Sequence, residues 1–312
     1  MSRLSLRSNK SGFVGGQSGL KGDIMLIQGR NKTAVALGMF DGIHVGHSEV
    51  INAALKQKEM NQMIPAVFTF RKLKKLGGSV IPYGMKFALL KSKGFDVIYS
   101  SDFDSVRDLS GEDFVSQILI DKMNCGYVSC GWDFRFSKNA ESDSGDLKRI
   151  CEENGIKVDI IKPVEMEGGV VSSTRIREAI KDGNIALTNR LLGYDLTYEL
   201  EVVEGAKIGR TLGTPTLNQL IPIDCVLPKF GVYKSVVELD STYDAITNIG
   251  IKPTVYSDSS PVVETHIPGF NREIYGQTVR VSLREFIRQE RKFDSLDDLK
   301  IQIQEDIKAT KK

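Results

Sequence analysis

The chain is poor in cysteine, histidine and tryptophan, with four, three and one among 312 residues, and it is almost neutral overall. Cys125, Cys130, Cys151 and Cys225 form no Cys-x-x-Cys pair. They read as buried free thiols of a reducing compartment, so a cytoplasmic protein is expected. With so few histidines no four-ligand zinc spacing can be drawn. Forty-two basic residues against forty acidic ones leave a net charge of +2. Nucleic acid and membrane are therefore not expected as partners, since both are usually met by a large charge excess or a basic stripe. No apolar run reaches the roughly eighteen residues that a bilayer-spanning helix needs. Neither composition nor motif bears on oligomeric state.

What remains is ordinary globular composition, 41% hydrophobic and 26% charged, in a length that suggests two domains of about 150 residues. The first 22 residues hold five serines, five glycines, four basic residues and no acid. No apolar stretch follows the basic residues, so a secretory signal is not expected, and residues 1–22 read as a disordered extension. From about residue 24 strand and helix alternate. Apolar β-runs at 33–37, 66–70, 96–99, 126–130 and 157–161 are separated by helical stretches at 48–59, 85–92, 111–122 and 145–153. Short connections between such elements imply a parallel sheet covered on both faces, with ligands beyond the carboxyl ends of its strands. After about residue 193 short β-runs follow at 199–204, 231–238, 243–250, 261–267 and 277–285. These suggest an antiparallel barrel or sandwich. A helix capped by Ser295, with Leu296, Leu299, Ile303 and Ile307 on one face, ends the chain.

The strongest local signal is Gly38-Met-Phe-Asp-Gly-Ile-His44-Val-Gly-His47. It leaves a strand and ends where a helix begins, and its three glycines allow a phosphate to approach free backbone amides. His44 and His47 can donate hydrogen bonds to phosphate oxygens as charge builds there. A tight turn carrying two surface histidines remains the plain alternative. Ser172-Ser173-Thr174-Arg175-Ile176-Arg177 opens another helix, and its hydroxyls, amides and guanidinium groups suit a second phosphate clamp. The same residue types also serve as an ordinary helix cap and a solvated face. Gly205-Ala-Lys-Ile-Gly-Arg-Thr-Leu-Gly213 is a glycine-spaced basic loop that leads into Thr214-Pro-Thr-Leu-Asn218. Thr216 and Asn218 face the same way on a strand and offer hard oxygens suited to Mg²⁺; a simple hairpin would read alike. Glu264, in Val262-Val-Glu-Thr-His266, is a carboxylate in an otherwise apolar β-run. It fits a general base or a charge on an outward strand face.

In order along the chain, these motifs resemble the bacterial bifunctional riboflavin kinase/FMN adenylyltransferase (FAD synthetase) family. The matching pieces are residues 38–47, Asp133-Phe134-Arg-Phe136, residues 172–177, Leu191-Leu-Gly193, residues 209–218, Gly231-Val-Tyr233, residues 248–254, Val263-Glu-Thr-His266 and Tyr275-Gly276. The resemblance implies a Rossmann-like nucleotidyltransferase domain over 23–192. An antiparallel β-barrel riboflavin kinase domain with a C-terminal helix would cover 193–312. It further implies a route from riboflavin and ATP to FMN, and from FMN and a second ATP to FAD. Gly38, Phe40, Asp41, Gly42 and Gly46 would bind the nucleotide of the adenylyl transfer with Ser173, Thr174 and Arg177, while His44 and His47 meet its phosphates. Asp133 and Phe134 would lie near the flavin. In the kinase half Gly205, Lys207, Gly209, Arg210 and Gly213 would cover the nucleotide, Thr216 and Asn218 would hold Mg²⁺, and Glu264 would be the base.

Four positions depart from the family pattern. Arg71-Lys-Leu-Lys-Lys75 stands where relatives show Asp-Pro-His-Pro, and Ser137 replaces a glycine. Thr214 replaces an aromatic, and Tyr194 an arginine. The first two touch the adenylyltransferase half. They motivate an alternative reading as a kinase, or a flavin- or nucleotide-binding regulator, with weakened adenylyl transfer.

Overall fold

The computed structural model describes residues 31–71, 77–205, 215–251, 261–291, 293 and 295–310. Strand β1 (Thr33–Leu37) is buried along its whole length because its two faces feed two different cores. Ala34 and Ala36 pack with Val50, Ile51 and Ala54 of helix α1 (Val45–Asn61). Val35 and Leu37 face the opposite way, onto Phe114, Ile118 and Leu119. An all-apolar strand covered on both sides is the signature of a doubly wound sheet. The other strands are β2 (Ile64–Phe70), β3 (Val97–Ser101), β4 (Cys125–Gly131) and β5 (Lys157–Ile161). All pair in parallel in the order β3-β2-β1-β4-β5.

Helices α2 (Tyr83–Ser92), α3 (Gly111–Asp113) and α4 (Ser144–Glu153) complete the layers. The helix expected over 111–122 is α-helical only in α3; Phe114–Lys122 is π-helical. The wider turn brings Phe114, Ile118 and Leu119, spaced i, i+4 and i+5, onto the buried face. A small hairpin, β6 (Glu165–Met166) and β7 (Gly169–Val170), precedes α5 (Ser173–Asp182) and α6 (Ile185–Leu192). Two-residue strands carry no periodic signal, so this hairpin leaves no trace in the sequence. Its turn has positive φ at both Glu167 and Gly168.

The second sheet is antiparallel: β8 (Thr197–Glu201), β9 (Thr216–Leu220), β10 (Gly231–Glu238), β11 (Thr242–Ile251), β12 (Pro261–His266) and β13 (Thr278–Arg288). Its order is β8-β13-β10-β11-β12-β9. The two edges meet. Val203 donates its amide to the Asn218 carbonyl at 2.8 Å, and Gln219 Nε2 donates to the Leu200 carbonyl at 2.6 Å. The sheet is thus nearly closed into a barrel, which removes exposed edges. Helix α7 (Leu296–Thr310) has Ser295 as its cap, with Asp298 N donating to Ser295 Oγ at 3.1 Å. It is tied to β13 by Arg288 and buried Asp306 at 2.6 Å.

One apolar core runs through both halves. Val80, Ile81, Ile176, Ile180 and Leu192 share it with Tyr198, Ile221, Val226, Tyr233 and Leu283. A strap at 78–80 adds backbone hydrogen bonds: Ser79 N donates to the Asp224 carbonyl at 2.7 Å, and Val226 N to the Ser79 carbonyl at 2.8 Å. Gly78 has φ +82°, and a Cβ there would lie 2.6 Å from the Cys225 carbonyl carbon. Gly78→Ala is therefore expected to destabilise the protein by about 2–4 kcal/mol through left-handed strain and overpacking. Equilibrium urea unfolding measures this; an unchanged midpoint would show that the strap gives way without cost.

Candidate active sites

Beyond the carboxyl ends of β1, β2, β4 and β5 lies a cavity of about 730 Å³, within the usual range for ligand sites. It sits where the strand order reverses between β1 and β4, the switch point at which such sheets bind ligands. Two helix N-termini converge on it. One is α1, which begins directly after His44; the other is α5, opened by Ser172. Gly38, Phe40, His44, Gly46 and His47 line the cavity from the first side, Ser172, Ser173 and Thr174 from the second, and Asp133 and Phe134 from a third.

His44 is itself the cap of α1. Its Nδ1 accepts the His47 backbone N–H at 3.2 Å, so the neutral ring carries its proton on Nε2. Burial lowers its pKa to about 4, which keeps the ring uncharged at neutral pH. Its ring stacks on that of His47 with centroids 3.6 Å apart. A Cβ on residue 46 would sit 3.2 Å from the His44 ring, so glycine there lets the imidazole fold back over the helix start. The spacing of His44, Gly46 and His47 thus has a local mechanical reason.

Asp41, Gly42 and Arg177 do not line the cavity. Arg177 pairs with Asp41, and both side chains are buried. Arg177 Nε also donates to the Gly78 carbonyl at 2.8 Å, while Asp41 Oδ1 accepts the Val80 N–H at 2.8 Å. Arg175 is likewise engaged by backbone, donating to the carbonyls of Met166 at 2.6 Å and Gly169 at 3.0 Å. Both guanidinium groups of the Ser-Ser-Thr-Arg-Ile-Arg run therefore organise the walls. What α5 presents to the cavity is hydroxyls and amides. Ser173 also fixes the first loop by donating to the Asp41 carbonyl at 2.9 Å.

Two departures from the family pattern have structural readings. Tyr194 reaches back to donate its hydroxyl to the Gly42 carbonyl, binding the junction between the halves to the glycine loop. Ser137 has φ +66° and ψ −179°, a region almost reserved for glycine. Its Oγ meets Ser142 Oγ at 2.9 Å and accepts the Ser142 N–H at 3.2 Å, which offsets part of that strain. Of the basic run 71–75, only Arg71 is among the described residues.

In the barrel, register places Asn218 of β9, Glu264 of β12 and Asn248 of β11 in one row. Thr216 pairs with His266 in a parallel row two residues along. His266 Nδ1 lies 2.9 Å from the Pro215 carbonyl and anchors the turn before Thr216. Asn218 is buried, with Nδ2 donating to the Thr216 carbonyl at 3.3 Å. A Cβ on Gly205 would lie within 2.7 Å of three Asn218 side-chain atoms, so only glycine allows the loop to start this close. A second cavity of about 540 Å³ is bounded by Pro215, Thr216, Thr265 and the segment Phe270–Tyr275; Asn218 and Glu264 do not line it. Lys207, Gly209, Arg210 and Gly213 lie outside the described residues.

Sequence reasoning assigned no role to Asn248 or Glu290. Asn248 Nδ2 donates to Glu290 Oε1 at 2.9 Å, and its buried Oδ1 has no hydrogen-bond partner among the described residues. The signal was weak: Asn248 is the one amide in the β-run Ala245-Ile-Thr-Asn-Ile-Gly-Ile251. Its alignment with Glu264 depends on strand register, which a sequence does not print.

Residues 26–175 match the family model described as FAD synthetase, and residues 192–312 match that described as riboflavin kinase. The chain is 31% identical over 289 residues to the bifunctional riboflavin kinase/FMN adenylyltransferase of Bacillus subtilis, covering 88% of this chain and 90% of that one. With the same-named protein of Listeria monocytogenes it shares 31% over 287 residues, 89% of this chain and 91% of the other. A crystal structure described as the macrolide-efflux protein of Streptococcus pneumoniae superposes with a TM-score of 0.81 at 33% identity. It covers 92% of this chain and 96% of that one. Among the described residues of this chain, no helix is long and apolar enough to cross a membrane. Both parts of the chain are matched, and its relatives align along nearly their full length: it belongs to the bifunctional riboflavin kinase/FMN adenylyltransferase family.

Proposed function

We propose that the chain converts riboflavin to FAD in two transfers, one in each half, acting in the cytoplasm. Membership of a family named for both activities supports this over a regulator without adenylyl transfer. The single observation that carries the adenylyl step is the convergence of two helix N-termini and a neutral histidine on one cavity. A phosphate oxygen of FMN attacks the α-phosphorus of ATP, the bond to the β-phosphate oxygen breaks, and pyrophosphate leaves. Such a transfer needs positioning and charge stabilisation rather than a covalent protein intermediate. His44 donates Nε2–H to a phosphate oxygen while uncharged, and His47, stacked beside it, reaches the same phosphates. Ser173, Thr174 and the free amides of α1 and α5 bind the rest of the triphosphate. Gly38, Phe40 and Gly46 shape its bed, and Asp41, Gly42 and Arg177 hold that bed in place. Asp133 and Phe134 lie toward the flavin.

In the barrel, the riboflavin 5′-hydroxyl attacks the γ-phosphorus of ATP and ADP leaves. Glu264 takes the hydroxyl proton. Thr216 and Asn218 offer two hard oxygens on one strand face, and a site with few protein ligands suits Mg²⁺, which shares its coordination with water and phosphate. When bound, the ion would neutralise charge on the transferring phosphates. By the resemblance, Gly205, Lys207, Gly209, Arg210 and Gly213 would bind the nucleotide.

The two activities can be separated by substitution. Glu264→Gln is expected to slow FMN formation by about 10²–10⁴-fold while leaving FMN-to-FAD conversion near normal. His47→Ala should slow FAD formation by about 10²-fold and spare FMN formation. Chromatographic resolution of FMN and FAD from riboflavin, ATP and Mg²⁺ checks both, and equal damage to both steps from either change would contradict the division of labour. His44 gives a pH signature. Its folded pKa lies below its unfolded one, so on acidification the unfolded state takes the proton first and stability falls as pH drops from about 6.5 to 4. At pH 5 this amounts to about 2 kcal/mol. His44→Asn, which keeps a capping side chain, is expected to lose less stability between pH 7 and pH 5 than the parent in thermal unfolding.

A further inference from the structure

Lys86 is a charged residue on the second turn of α2, yet only 4% of its surface is exposed. Burying an ammonium group is costly unless its hydrogens are met by oxygens. Here all three have partners: the Phe70 carbonyl at 2.7 Å, Thr69 Oγ1 at 3.2 Å and the Met39 carbonyl at 3.3 Å. Thr69 Oγ1 donates in turn to the same Met39 carbonyl at 3.0 Å. Lys86 does not line the large cavity, whereas Met39 and Phe70 both do. One ammonium group therefore joins the loop after β1 to the end of β2 from behind the cavity wall.

That loop needs such support. Phe40 and Ile43, neither of them glycine, hold φ at +47° and +40°. Positive φ at bulky residues persists only where the surroundings over-determine it. The next residues are His44 and, three further on, His47.

We propose that Lys86 is a positioning residue for FMN adenylylation, holding the glycine loop in its strained shape so that His44 and His47 meet the ATP phosphates. This rests on the reading of the large cavity as the adenylylation site. Lys86 touches no reacting atom; it acts through Met39.

The ammonium form is the one that makes all three bonds. Burial pushes its pKa down to about 8, and the Asp41 carboxylate partly opposes the shift. Asp41 comes from the loop after β1 and is itself paired with Arg177 of α5. From α2 the Tyr83 ring lies 5.5 Å from Nζ, and β2 contributes only uncharged oxygens, the Thr69 hydroxyl and the Phe70 carbonyl. As pH rises through about 8 the proton is lost and the clamp weakens. Arginine, charged across that range, would not lose its proton.

The test uses the full chain and two separate assays, FMN formed from riboflavin and FAD formed from supplied FMN. Lys86→Met is expected to slow FAD formation by about 10²-fold, the scale of a 1 Å misplacement, with FMN formation within twofold of the parent. In the parent, FAD formation should fall about tenfold between pH 8 and pH 9.5 relative to FMN formation, and this fall should be absent in Lys86→Arg. FAD formation within threefold of the parent in Lys86→Met overturns the proposal. So does parallel loss of both activities, which would mark a general structural lysine. Coincident pH profiles for the parent and Lys86→Arg overturn it as well. His47→Ala, run alongside, separates the two readings. If it abolishes FAD formation while Lys86→Met does not, the role of Lys86 alone falls; if neither matters, the assignment of the cavity falls.

Discussion

Two charges taken out of water, Asp41 and Arg177, hold together the part of the molecule on which the rest depends. A buried ion pair is favourable only when further hydrogen bonds support it, and here each partner makes one more. The second oxygen of Asp41 takes the Val80 amide, and Arg177 Nε takes the Gly78 carbonyl. The pair therefore ties three segments remote in sequence: the loop after β1, the first turns of α5, and the 78–80 strap. The strap in turn hydrogen-bonds to the barrel at Asp224 and Val226. Removing either partner would leave an uncompensated charge in the interior, a loss of several kcal/mol.

This use of arginine changes how the proposed phosphate site would work. Guanidinium groups at a helix start suggest a clamp built from charge, yet Arg175 and Arg177 spend their donors on carbonyls and on Asp41. Cations from other segments, Arg107, Arg135 and Lys162, also line the cavity, but the two helix starts present amides, hydroxyls and an imidazole kept neutral by burial. Such groups are fixed dipoles. In the proposed transfer they would stabilise developing charge without needing to reorganise. The barrel follows a similar economy, since its row of Asn218, Glu264 and Asn248 has one carboxylate among neutral amides.

Much of the fold could be read in the sequence because runs of β-branched residues bounded by glycine and polar residues mark strands even where burial is partial. The runs at 33–37, 157–161 and 231–238 coincide with strands β1, β5 and β10. The barrel was harder, because its closure rests on Val203, Asn218 and Gln219 meeting across a sheet edge. Of the lining of the large cavity, the histidines, Ser173 and Thr174 were legible as a pattern at helix starts. The positions of Asp41 and Arg177 were not, since charge in a motif does not say whether it faces ligand or protein. Lys86 was invisible for a related reason: on a helix a lysine reads as solvated until the oxygens around it are seen. Ser137 was legible as a change of residue, but the sequence could not tell that the backbone keeps a glycine-like shape beneath it.

The continuous core beneath the two halves has a consequence for anyone who would divide the protein. A cut at Gly193 looks natural on paper, where the strand-and-helix rhythm gives way to short β-runs. In three dimensions it passes through a seam. Leu191, Leu192, Leu196 and Tyr198, all fully sheltered in the intact chain, would be shared out as raw, oily faces on two fragments, each missing the other half of its lining. Excised pieces should be sticky and short-lived in solution, and a gene for either activity alone would first have to repaint that face with polar residues.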